Sequence, residues 1–455
     1  MNNKHFLAIL LSTTFALMVV ALYNGFPLAE GDTGAYIQQA IYPHFAPDRT
    51  PFYGIFLRIT SLWRSLWFPV FAQCLLLGFL IIQFISKVDP IGNKLNPNTR
   101  RLLLIVLAIV SLTCAPWVAA YLMPDVFAGI LLLAILLFIT TPAGNKISTL
   151  YTIFILGSLI IHNSHFLITL LFALALLAYS FKGKEMLLVK RSLVLVGLCF
   201  ITWATLSGMN AAKKYGFVFS RGSNIFMVAK LAETGILNIY LDENCPKNNL
   251  RLCNYKTQIP QSLSEFLWLD TSPLNQMGGW DSCRNEYATV VHDVFTSPRY
   301  LLMFAQKTAT GTLKQLTEVQ VRDKIQSEGQ DKQPSKKVRQ FFGDEWREFS
   351  MSKQNTELLT ATSCNYVYML TFLLTTIWIL FFASQVISKE VAFLYGCILV
   401  FFVLNAFVTA TFSTISYRYQ YRIFWILPAT NLILMIKYYW RAINEPFLEK
   451  NRAEK

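Results

Sequence analysis

Asp32 lies in Glu30-Gly31-Asp32-Thr33-Gly34-Ala35-Tyr36, just past the first apolar run, and Asp48-Arg49-Thr50-Pro51-Phe52-Tyr53-Gly54 echoes it. A carboxylate at a bilayer edge is costly unless paired or solvated, so its default reading is functional. Asp is a weak base at its ordinary pKa, but partial desolvation raises it toward the range useful for taking a proton from a hydroxyl. Other polar residues recur at the edges of apolar runs. Asp125 opens one such run after Met123-Pro124, where a helix dipole favours a carboxylate and where it could equally serve as a cap. His162 and His165 are three apart, so one helical face could present both to a phosphate or metal, or both could be hydrogen-bonded turn residues. Tyr417-Arg418-Tyr419-Gln420-Tyr421-Arg422 sets two guanidiniums among three phenols. Guanidinium matches phosphate in a bidentate way, while the phenols also suit an aromatic belt. His44 completes the set.

These residues need a scaffold, and composition names it. The 455 residues are 54% hydrophobic and only 15% charged, against about 25% charged in a soluble domain. Mean hydropathy is +0.42. The net charge of +14 flanks apolar runs, which fits topogenic Lys and Arg and contact with anionic lipid rather than nucleic acid. Spanning runs fall near 6–24, 66–86, 102–122, 125–141, 193–210, 364–386, 391–412 and 422–438. The first reads as an uncleaved signal anchor behind Lys4. The stretch 149–181 is too long for one span and is interrupted at Ile161-His162-Asn163-Ser164-His165. Basic loops at Lys87, Lys94, Arg100 and Arg101, and at Lys182, Lys184, Lys190 and Arg191, can share the cytoplasmic side only if 149–181 crosses twice. A helical hairpin with the histidines at its outer turn satisfies that. The expectation is an all-α polytopic membrane protein with about ten transmembrane helices and both termini inside, in agreement with Lys437, Arg441, Lys450 and Arg452.

Three regions divide the chain: 1–210, a transmembrane region with a first outer loop at 25–65; 211–362, an extracytoplasmic, mainly α module; and 363–455, a C-terminal transmembrane region. Within the module, helices are expected over 223–237 and 285–308, and 322–338 reads as a flexible hydrophilic surface loop. In the first loop, 56–64 reads as an interfacial helix. Of the 8 cysteines, Cys74, Cys114, Cys199 and Cys397 fall in apolar runs as small hydrophobes. Cys245, Cys253, Cys283 and Cys364 fall in or beside the module, where an even number suggests disulfides. Cys245 and Cys253 flank the turn-like Pro246-Lys247-Asn248-Asn249, which predicts a local bridge and leaves Cys283 with Cys364. No C-x-x-C pair supports zinc, and G-x-S-x-G, H-E-x-x-H and P-loop motifs are absent.

Gly31-Asp32-Thr33-Gly34-Ala35-Tyr36 followed by Asp48-Arg49-Thr50-Pro51-Phe52-Tyr53 resembles the GT-C superfamily of polytopic glycosyltransferases, in particular bacterial members related to lipid A and arabinose-chain transferases. The resemblance covers the membrane part. It implies a polyprenyl-phosphate sugar donor, a lipid or polysaccharide acceptor, and a place in the bacterial inner membrane with the large module outside. It gives Asp32 the role of catalytic base or positioning group. Asp48, Arg49, Tyr53, Asp125, His162, His165, Arg418 and Arg422 become substrate-binding candidates, with Arg418-Tyr419 and the more distant Pro428 resembling the donor-phosphate element. The superfamily's paired acids are missing, since Gly31 and Thr33 flank Asp32. No metal ligand is therefore assigned, and a divalent cation is left open. The alternatives are a transporter or flippase of lipid-linked glycans, for which polar mid-span residues and repeated halves are lacking, or a non-catalytic envelope assembly protein.

Overall fold

The computed structural model describes residues 3–89, 97–245 and 249–453. Lys94 and Pro246–Asn248 lie outside the described residues, as do the side chains of Lys450 and Arg452. Among the described residues the fold is helical. β-Pairing is limited to two isolated bridges, Leu28 with Tyr121 and Lys324 with Thr360.

Long apolar runs become long helices because every backbone group must be satisfied within the segment in a bilayer. Among the described residues, six helices are long and apolar enough to cross a membrane: Trp67–Val88, Asn163–Gly183, Met186–Ala212, Thr362–Val386, Lys389–Phe412 and Tyr417–Ile443. Three shorter apolar helices join them, Lys4–Leu17, Val126–Thr140 and Ile147–Ile161. The chain is thus an all-α, multi-pass membrane protein. The expected spans 6–24 and 102–122 are each interrupted. The first divides into Asn3–Leu17 and Val19–Asn24. The second divides into Pro97–Leu112 and Ala115–Ala120, with Pro116 favouring a fresh helix start.

The stretch around the histidines forms the expected reversal. Helix Ile147–Ile161 ends at His162, which is extended at φ −141° and ψ 125°, and helix Asn163–Gly183 follows at once. Arg191, one turn into the next helix, donates to Thr141 O and to Ser148 Oγ. The start of the first arm and the far end of the second therefore share one end of the bundle.

Helix Val126–Thr140 is buried from Val126 through Ile139. A helix apolar on every side belongs inside a bundle. It gives the bundle two polar ends. At one, Lys87 pairs with Glu390 at 2.5 Å, Arg101 with Asp89 at 2.9 Å, and Lys437 donates to Val88 O. At the other, Asp125 precedes this helix and Arg422 meets it.

The extramembrane segments divide by core. Residues between Ile225 and Phe304 bury a separate apolar cluster around Tyr240, Phe266 and Tyr287. Val321, Ile325, Val338, Phe342, Phe349 and Leu359 instead join the core of the bundle. The expected helix over 285–308 breaks at Ser297, where Pro298 starts a new one, giving Gly279–Thr296 and Pro298–Thr317.

The flexible loop expected at 322–338 is corrected. Its second half enters helix Gln333–Phe341, in which Pro334, Ser335 and Val338 are buried. That helix lies against first-loop helix Thr33–Ile41 so closely that a Cβ on Gly34 would fall 2.6 Å from the Gln333 carbonyl carbon. Charge density suggested a loop because the outward Lys336 and Arg339 outweigh three inward positions in a nine-residue helix.

Cys245 and Cys253 form a disulfide. The second expected pairing is not formed. Cys283 is buried in the separate cluster against Leu274 O, whereas Cys364 packs on the bundle core. Two cysteines in different cores cannot be bridged without moving backbone.

Candidate functional site

Three chain segments meet at the second polar end: the first loop, the stretch 119–125 and the turn that leads into Tyr417–Phe424. Their backbones are fixed first. Leu28 N donates to Ala120 O and Leu122 N to Leu28 O, so the first loop lies along the stretch before Asp125. Three buried glutamines clamp these segments. Gln73 donates to Ala119 O and Tyr121 O, each at 2.7 Å. Gln354 accepts from Ala29 N at 3.0 Å and donates to Ala29 O at 2.7 Å. Gln315 accepts from Ser416 N at 2.9 Å and donates to Ser416 O at 2.7 Å.

On this frame Asp32 occupies the N-cap position of helix Thr33–Ile41 without capping it. Its carboxylate turns to two guanidiniums instead. Arg418 donates to Oδ2 from both Nη1 and Nη2 at 3.2 Å, and Arg49 Nη2 donates to Oδ1 at 3.1 Å. Arg49 is held in turn by Asp48 at 2.6 Å and stacks over Tyr36. Burial by itself would raise the Asp32 carboxyl, but the Arg418 and Arg49 guanidiniums overcome it and hold the group below its ordinary value. Glu30, two residues away, goes the other way, because burial outweighs the pull of Arg418 and Arg322.

Asp125 also sits at an N-cap position without capping. It meets Arg422 at 3.2 Å and Arg418 at 3.8 Å. Arg422 reaches Asn405 Oδ1 at 3.0 Å and Ser164 Oγ at 3.4 Å. Ser164 closes the set by contacting His162 Nδ1 at 2.9 Å. Exposure separates two layers of this network. The Arg422 side chain is 0% exposed and that of Asp125 5%, whereas Asp32 is 35% exposed. The inner pair locks helices together and the outer carboxylate can be reached. A narrow cleft beside it is lined by Glu30, Tyr121, Asp125, Tyr417, Arg418 and Tyr421.

Asp32, Asp48, Arg49, Asp125, His162, Arg418 and Arg422 are therefore brought together. Tyr53 and His165 are near but sealed. Tyr53 is wholly buried among Tyr36, Phe56 and Phe127, its hydroxyl on Gln73 Oε1. His165 is wholly buried with Nδ1 on Ser158 O and its ring 5.0 Å from His162. Among the described residues, no group of three or more His, Cys, Asp or Glu side chains is arranged to hold a metal. Sequence reasoning missed the glutamines. Gln73, a polar residue within an apolar run, was a usable signal. Gln315 and Gln354 lie in polar segments and gave none. Comparisons with family models, with curated proteins and with solved structures find no match to this chain.

Two expected outcomes follow from the frame. Gln315→Leu leaves Ser416 N without its partner, at a cost of about 1–3 kcal/mol, and leaves Ser416 O with Tyr419 N as its remaining donor. Hydrogen exchange over 413–418 rises in that variant, and unchanged exchange would contradict the clamp. Glu328, whose Oε2 is buried and unpartnered, is raised to about 7, first by burial and then by Glu30 against the pull of Lys332. An acid raised in the folded state binds its proton more tightly there, so stability falls as pH climbs from the unfolded value toward 7. Glu328→Gln removes that loss. Its Tm should match the parent near pH 4.5 and exceed it at pH 8, as read by scanning calorimetry at both pH values.

Proposed function

We propose that this chain is a GT-C-like membrane glycosyltransferase that moves a sugar from a polyprenyl-phosphate donor to a lipid or glycan acceptor at the extracytoplasmic face of a bacterial inner membrane. One observation carries the reading. A part-exposed carboxylate sits between two guanidiniums, beside a cleft, at the end of an apolar bundle. Six helices are long enough to cross, and the three shorter ones and the broken segment 97–120 would complete the about ten crossings such a scaffold calls for if each also crosses. The basic pairs around Lys87, Arg101 and Lys437 lie at the end opposite Asp32, as the positive-inside rule asks of a site facing outward.

The chemistry follows from competition for charge. With its guanidiniums engaged, Asp32 is ionised but a poor base. A donor phosphate is a better bidentate partner for Arg418 than a carboxylate it must share. When the phosphate takes Arg418, Asp32 loses its main counter-charge, and burial then lifts its basicity toward the working range. Asp32 accepts the proton of the acceptor hydroxyl, whose oxygen attacks the anomeric carbon. The bond to the phosphate oxygen breaks and the configuration inverts. The polyprenyl phosphate leaves with its new negative charge on Arg418. Arg422 stays on Asp125 throughout and keeps Arg418 oriented, since both guanidiniums lie 5.5 Å from the Tyr419 ring. The segment 319–361 roofs the first loop and limits water. No divalent cation is needed for these steps.

A transporter of lipid-linked glycans is less well supported. Its central helix would present polar groups at mid-bundle, and Val126–Thr140 is apolar along its buried length. In a single-turnover assay with a polyprenyl-phosphate sugar, Asp32→Asn should lower transfer about 100-fold or more. Its fold should hold, because Arg418 still has Asp125. Full activity of a well-folded Asp32→Asn protein would refute the reading.

A further inference from the structure

The two guanidiniums that hold Asp32 each line a different cleft. Asp32 Oδ2 meets Arg418, which lines the cleft already described. Its Oδ1 meets Arg49, which lines a second cleft formed where the first loop, the end of helix Met186–Ala212 and the segment after it converge. The second cleft is walled by Phe45, Pro47 and Phe219, and its polar floor is Arg49, Asn163 and Arg221. It is built rather than incidental. Gly222 N donates to Pro47 O at 2.9 Å, Asn210 Nδ2 donates to Val218 O at 2.8 Å, and Phe219 packs on Phe166 with ring centroids 4.7 Å apart.

Arg221 is the informative residue. Its side chain is 7% exposed, yet its acid partner Asp281, at 2.5 Å, is 75% exposed. The guanidinium carbon lies over the Tyr215 ring, 3.6 Å from its centroid, and Nη1 donates weakly to Phe45 O at 3.4 Å. Its Nε has no partner, and neither does Asn163 Oδ1 across the same cleft. A buried cation answered only by a solvated carboxylate is poorly neutralised, because an exposed partner is screened and weak. Such a site gains more from an anion placed in the cleft than from the ion pair it already has. The aromatic and proline walls suit a sugar ring beside that anion.

We infer that the second cleft is the acceptor subsite and binds an anionic group, phosphate or carboxylate, carried by the hydroxyl-bearing acceptor. The inference rests on the transferase reading. Donor phosphate at Arg418 and acceptor anion at Arg221 then flank one carboxylate, and the acceptor hydroxyl reaches Asp32 along Arg49.

The test is direct binding, which requires no transfer and so separates this inference from the catalytic one. Inorganic phosphate is titrated calorimetrically into the detergent-purified full chain carrying Arg418→Gln, which silences the donor cleft. Arg221→Gln in that background should weaken binding roughly tenfold or more, the scale of a charged hydrogen bond. Asp281→Asn should tighten it about twofold to fivefold, the scale of the exposed pair it releases. A purely structural ion pair predicts the reverse for Asp281→Asn, because both variants would then damage the cleft alike. Weaker or unchanged binding in Asp281→Asn, or no binding of either phosphate or glucuronate in the parent background, overturns the subsite. If Arg221→Gln fails to fold, the Asp281→Asn result decides alone. A parallel titration with glucuronate identifies the group, since the tighter of the two anions is the one the acceptor carries.

Discussion

Arg422 has no exposed side-chain surface, and a charge so placed survives only if it is answered. Asp125 answers it from the head of the central helix, Asn405 from helix Lys389–Phe412 and Ser164 from helix Asn163–Gly183. One guanidinium thus ties three helices to the short helix Tyr417–Phe424 that carries it. Removing a single partner from such a set costs about 3–5 kcal/mol, so the arrangement resists drift. Arg418 lies one helical turn away, and its reach to Asp32 inherits that rigidity. The Asp32–Arg418 pair can be partly exposed because the pair beneath it is sealed.

The backbone clamps extend the same logic outward. Irregular segments at a membrane surface have no ladder to hold them, and a primary amide that both donates and accepts can replace two ladder bonds. Gln354 does this for the loop before Asp32 and Gln315 for the loop before Arg418. Both glutamines come from the extramembrane segments. Lys230 adds a third tie, donating to Ser413 O, while its neighbour Glu233 accepts from Thr414 Oγ1. The helical region with its own core is therefore connected to the loop that leads into the arginine-bearing helix.

Much of the frame was legible in the sequence, for physical reasons. Apolar runs announce helices in a bilayer, and the His162 break announced a reversal because the basic loops on either side had to share an end. Acids and arginines at the edges of runs converged because burying them singly is prohibitive. What stayed hidden depends on tertiary contact. The burial of Arg422 beside an open Asp32 cannot be read from Tyr417-Arg418-Tyr419-Gln420-Tyr421-Arg422, where the two arginines look equivalent. Helix Gln333–Phe341 was hidden because its inward face is narrow and depends on Gly34 to admit it. Cys283 and Cys364 looked like a pair by elimination, but the chain places them in separate cores. Gln315 and Gln354 act on backbone far away in sequence, where no local pattern signals it.

The most direct measurement is a cryo-electron microscopy map of the full chain with a bound polyprenyl phosphate. The phosphate should lie within hydrogen-bond reach of Arg418, with Asp32 released from that guanidinium and the Arg422–Asp125 pair intact. Phosphate density at the opposite end beside Arg101 and Lys437, or an Asp32–Arg418 contact unchanged by the ligand, would contradict the account.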